Sequence, residues 1–116
     1  MILMTAETRI LLATHAQDFR KGFDGFIAAC QLELKKDPRS GALFVFINRS
    51  KTMIRVLTFD GSGYWLMTKR LSKGTYRGWP TSDASVSALD AKQLQQLLWG
   101  PESVKHSGSH WRKVSS

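Results

Sequence analysis

The stretch from Ala42 to Lys69, ALFVFINRSKTMIRVLTFDGSGYWLMTK, decides the fold. Three runs rich in β-branched and aromatic residues, Ala42–Ile47, Met53–Asp60 and Tyr64–Lys69, are separated by two short polar connections. That pattern predicts strands joined by hairpins. Ala42–Ile47 is apolar at every position, as a strand buried on both faces must be. Side chains alternate along a strand, so Met53, Arg55, Leu57 and Phe59 share one face of the second run. Asp60-Gly61-Ser62-Gly63 supplies the positive φ angles of a tight turn. Asn48–Thr52 is a polar, basic loop. Connections this short require antiparallel neighbours, because a parallel pair needs a crossover of a dozen or more residues.

Upstream, Thr8–Ala13 (TRILLA) reads as a central strand. Next, THAQDFRKGFDG is broken by Gly22 and Gly25, which mark a turn and the start of a helix. Phe23, Phe26, Ile27, Cys30 and Leu34 recur at helical spacing from about Gly22 to Lys36. Asp37-Pro38 stops that helix, since the residue before a proline avoids the helical region. Downstream, Thr75–Trp79 is expected to add a short edge strand ended by Pro80, and TSDASVSA after it to form a loop. Asp90 caps a second helix, with Gln93 at the capping-box position and Ala91, Leu94, Leu97 and Leu98 on the apolar face. Gly100-Pro101 ends it. The expected fold is α+β: a small antiparallel β-sheet of about four to five strands packed with one or two helices. Residues 1–101 should make one domain and residues 102–116 a flexible basic tail.

The composition sets the functional class. The chain has 116 residues, 17 Lys+Arg against 9 Asp+Glu, a net charge of +8, a pI near 10.1 and 42% hydrophobic residues. That is one domain with a real core. The longest stretches free of Asp, Glu, Lys and Arg are nine residues, far short of the about 20 a spanning helix needs. Glu7 and Arg9 interrupt the apolar N-terminus, so no secretory signal is expected. The single cysteine fits a reducing compartment, and the expectation is a soluble, cytoplasmic protein. The charge is concentrated: Arg49, Lys51, Arg55, Lys69, Arg70, Lys73 and Arg77 face one acid, Asp60, in 29 residues that carry a net +6. Such a segment has the electrostatic footprint of a phosphate-backbone binder, or of a merely solvated surface.

No catalytic site emerges. Two-metal strand chemistry needs converging carboxylates. Here Asp18 and Asp24 are accounted for by helix capping, Asp37 by a turn, Asp60 by a hairpin and Asp90 by an N-cap. His106 and His110 have the spacing of some zinc pairs but no completing cluster, so no metal site is expected. Cys30 lies on the apolar stripe and is expected to pack. No nucleotide fingerprint and no cofactor motif is present. Phe44 and Phe46 belong in the core. Tyr64, Trp65, Tyr76 and Trp79 are interleaved with basic residues and could stack on bases, although Trp65 is expected to pack inside.

Several blocks together resemble the TnpB-type accessory proteins of bacterial insertion sequence 66 elements. They are Asp18–Gly25, Asp37–Phe46, Asn48-Arg49, the Phe59–Leu66 hairpin, Lys69–Gly74 and Trp79-Pro80, in the family's order between about Thr8 and Gly100. One departure is Tyr64–Thr68, where many members carry an aromatic before the Lys-Arg pair, and the tail after Gly100 is outside the pattern. The resemblance implies a non-enzymatic protein encoded beside a DDE-type transposase and needed for efficient movement of the element. It is unrelated to the much longer RNA-guided nucleases that share the TnpB name. Two readings follow. In the first the basic strip, Arg49, Lys51, Arg55, Lys69, Arg70, Lys73 and Arg77, holds the DNA backbone at element ends without reading sequence. In the second the protein is an adaptor for the transposase, contacted through the Arg20–Gly25 region or the C-terminal helix. A metal-dependent nuclease is a distant third.

Overall fold

The computed structural model describes residues 8–99. The elements are β1 (Ile10–Ala13), α1 (Phe23–Leu32), β2 (Leu43–Ile47), β3 (Met53–Phe59), β4 (Tyr64–Arg70), β5 (Val86–Leu89) and α2 (Ala91–Leu98). One five-stranded sheet has the order β4-β3-β2-β1-β5. Strands β2, β3 and β4 form the two predicted hairpins, with Phe46 opposite Arg55 and Leu57 opposite Leu66. The fold is α+β and mostly antiparallel.

The sheet departs from the expected one in three places. First, β1 and β2 are parallel, in register from Ile10 opposite Leu43 to Leu12 opposite Val45. The helix between them supplies the crossover that a parallel pair requires. Second, the fifth strand is Val86–Leu89, which overlaps the end of the expected loop TSDASVSA, and Thr75–Trp79 is not a strand. Val86–Leu89 has weak intrinsic strand preference; it is extended because it pairs along all of β1, with Ala13 opposite Val86. Tyr76 and Trp79 instead turn inward, and the Trp79 indole N–H donates to the Ala13 carbonyl at 3.0 Å. Third, α1 ends at Leu32 rather than near Lys36, because the chain turns through Lys35 at φ 55°. Leu34 is still buried beyond the helix end.

The sheet is covered on both faces. On one face α1 packs Phe26, Ala29 and Cys30 against Leu11, Phe44, Phe46 and Leu57. On the other, Leu94 of α2 joins Tyr76 and Trp79 over Ile10, Leu12, Val45, Ile54 and Val56. This explains why β1 and β2 are buried along their whole length. Helix α2 starts as expected: the Asp90 carboxylate accepts the Gln93 backbone N–H at 2.7 Å, and the Gln93 side chain accepts the Asp90 N–H. Gly100-Pro101, His106, His110 and the tail lie outside the described residues. Among the described residues no helix is long and apolar enough to cross a membrane.

Candidate nucleic-acid interface

The topology gathers the basic segment at one end of the sheet. Strands β2 and β4 end there and β3 begins there, so the Asn48–Thr52 turn and the chain leaving β4 meet. The Leu71 N–H donates to the Thr52 carbonyl at 2.9 Å, and the Tyr76 N–H to the Lys51 carbonyl at 2.8 Å. The turn is rigid: the Asn48 carboxamide oxygen accepts the backbone N–H groups of Thr52 and Met53, and Lys51 takes a left-handed φ of 61°. Gly74 (φ 80°) and Gly78 (φ 74°) turn the second segment back beside the first. Arg49, Lys51, Lys69, Arg70, Lys73 and Arg77 are all exposed at this end.

Arg55 is the exception. It points at α1, where its guanidinium donates to the Phe19 carbonyl at 2.8 Å and to Thr68 Oγ1 at 2.7 Å, and stacks on Phe19 and Phe26. Its charge is used inside the protein. Lys69 is partly committed as well, since its ammonium donates to the Leu98 carbonyl at the C-terminus of α2, where the helix dipole favours a cation.

Arg20 joins the end from a distant part of the sequence. A bridge between Gln17 and Asn48 lays the chain before α1 along the β2–β3 turn. Between them runs an open groove of about 450 Å³ lined by Gln17, Asp18, Phe19, Arg20, Asn48, Arg49, Ser50 and Met53. Asp18 accepts the Arg20 backbone N–H at 2.9 Å and forms a 2.8 Å ion pair with its guanidinium. These bonds hold the Asp18 carboxyl well below the usual carboxylate range. Asp18 therefore fixes a loop; α1 has Gly22 as its N-cap with no side-chain cap and Asp24 inside its first turn, which corrects the capping role expected for both acids. Counting charge along a contiguous segment cannot find Arg20; its place in the Asp18–Gly25 block was the only available signal.

The aromatics do not form a stacking platform. Tyr76 and Trp79 are buried, and Tyr64 packs partly against the α1 face. Trp65 is 42% exposed, contrary to the core position expected for it. It is the second residue of an edge strand, at a corner of the sheet that no described element covers. Its indole N–H donates to Asp60 at 2.8 Å, at the end of the sheet away from the cations. Among the described residues no three His, Cys, Asp or Glu side chains converge as a metal site would require.

The fold and this end together define a small α+β domain with its charge polarised along the strands. A family model for IS66 Orf2-like proteins matches residues 8–107, continuing past the Gly100 limit of the resembling blocks. The protein named uncharacterized protein y4hO from Sinorhizobium fredii (strain NBRC 101917 / NGR234) is 38% identical over 104 residues, covering 90% of this chain and 89% of its own. Uncharacterized protein y4jC from the same organism is 37% identical over 92 residues, covering 79% and 78%. No solved structure matches the chain. The chain belongs to the IS66 Orf2-like family, whose members are accessory proteins of insertion-sequence transposition.

Proposed function

We propose that the protein is a non-catalytic DNA-binding accessory factor that grips the phosphate backbone with the cationic end of its sheet. One observation carries this reading: Arg49 and Lys51 on one turn and Arg70, Lys73 and Arg77 on the next segment are locked side by side by the Thr52–Leu71 and Lys51–Tyr76 backbone bonds. Arg20, ion-paired with Asp18, lines the adjoining groove and can reach the same phosphates only by sharing its guanidinium with that carboxylate. Arg55 is withdrawn from the binding set, and Lys69 contributes field more than contact. Backbone contacts of this kind give position and affinity without sequence readout. The transposase of the same element supplies the strand chemistry.

Salt-dependent binding to duplex DNA tests the reading. With about six phosphates neutralised, log K falls against log salt with a slope near −5, and a slope shallower than about −2 rules the reading out. Neutralising Lys69, Arg70 and Lys73 together removes retention on DNA. Binding of that triple variant equal to wild type would favour the transposase-adaptor reading. Exposed Phe23 (48%) and Leu32 (75%) on α1 support that second reading.

A further inference from the structure

We propose that β4 is a self-association edge, through which two copies pair antiparallel about a two-fold axis and continue the sheet. Among the described residues strand β4 is a sheet edge, flanked by β3 on one side only. Hydrogen-bonded pairs alternate along an antiparallel ladder. The Leu71–Thr52 and Asp60–Gly63 bonds fix the phase, so Trp65, Met67 and Lys69 bond inward to β3. The backbone groups of Tyr64, Leu66, Thr68 and Arg70 therefore point outward.

The sequence of the strand, YWLMTKR, is complementary to its own reverse: two aromatics open it and two cations close it. Full antiparallel overlap sets Tyr64 against Arg70 of the second copy, Trp65 against Lys69, Leu66 against Thr68, and Met67 against Met67. The backbone phase permits this register, since Tyr64–Arg70 and Leu66–Thr68 join outward-facing groups and the other pairs occupy the close, non-hydrogen-bonded sites. Each arginine gains an aromatic ring, and the Lys69 methylenes cover Trp65 while its ammonium stays on Leu98. Trp65 and Met67, 42% and 37% exposed, form one apolar strip at the centre of the joint. Sliding by two residues leaves Trp65 on Met67 but strips both cations of their aromatic partners, and parallel pairing sets cation against cation. Charges on an edge strand ordinarily block promiscuous pairing. Here they block other strands and leave this one open to itself. The two-fold axis directs the cationic ends away from one another, so two duplexes could be held; this consequence rests on the DNA reading, whereas the pairing does not.

Sedimentation of the nucleic-acid-free full chain tests the pairing without DNA. The expected result is a monomer–dimer equilibrium that Met67→Lys weakens about tenfold or more, because like charges then face each other directly. Circular dichroism of this surface variant checks that it remains folded. Under oxidation Met67→Cys gives a covalent dimer and Trp65→Cys does not, since only position 67 meets itself at a Cα separation a disulfide spans. Buried Cys30 does not compete. A monomer at all concentrations overturns the proposal. So does a dimer that ignores Met67→Lys and fails to cross-link at 67.

Discussion

Arg55 shows how a residue's charge can be read correctly and its role still be decided by its neighbours. It bonds Phe19, Lys21 and Thr68 and stacks on two rings. Arg55→Ala leaves part-buried carbonyls unpaired and should cost roughly 2–3 kcal/mol in urea unfolding, with little change in the salt slope of DNA binding. Arg55→Lys restores only part, because an ammonium cannot make the forked contact. Cys30 offers a pH test. Burial pushes its thiol up to about 12, so the folded state keeps the proton while the unfolded thiol ionises above about pH 8.5. Stability is complete below that value and declines as pH rises; burial raises the Tyr76 phenol too, in the same direction. Unfolding midpoints measured between pH 8 and 10.5 should fall, and by less in Cys30→Ala. Thiol reagents should label Cys30 only in unfolded protein.

Among the elements, the β3–β4 hairpin depends on one carboxylate. Asp60 accepts the backbone N–H groups of Ser62 and Gly63, the Ser62 hydroxyl and the Trp65 indole. Those donors hold its carboxyl well below the usual range. Its contribution is present above about pH 4 and lost as pH falls through the depressed native value. Protection of the β4 amides, taken relative to their intrinsic exchange rates at each pH, should fall on acidification, and Asp60→Ala should show that loss of protection at neutral pH. Helix α2 depends on the Asp90–Gln93 capping box, and Asp90→Ala should cost about 1 kcal/mol in denaturant unfolding. At the start of α1, a Cβ on Gly25 would sit 2.5 Å from Lys21 Cβ, so a side chain there forces Lys21 off Phe26 and Gln17.

At the scale of the whole molecule, the charge is polarised. Chain reversals return Arg49, Lys51, Arg70, Lys73 and Arg77 to one end of the sheet, and the bridge from Gln17 to Asn48 adds the Arg20–Asp18 ion pair. Asp60 is left at the other end. Charge reversal of Arg49 and Arg77 together should lower DNA affinity more than reversal of Lys35 and Lys36, which follow α1. Equal losses from the two pairs would mean that net charge alone attracts DNA. Plasmid incubated with magnesium or manganese should stay intact, because the described carboxylates do not converge.

The sequence by itself determined what local chemistry controls. The strands β2, β3 and β4, the Asp60–Gly63 turn, the start of α2 and the burial of Phe44 and Phe46 were all legible, because side-chain period and turn residues act within a few positions. The tertiary structure decided the rest. Val86–Leu89 became a strand only because β1 offered an unpaired edge, and β1 lay parallel to β2 only because α1 could carry the chain across. Trp65 stayed outside because no described element reaches the corner of the sheet edge that it occupies. Arg55, expected in the basic strip, was drawn into the fold, and Arg20, which the strip did not include, was brought to the cationic end. Pairing partners and charge neighbours are set by contacts between distant segments, and no local pattern encodes those contacts.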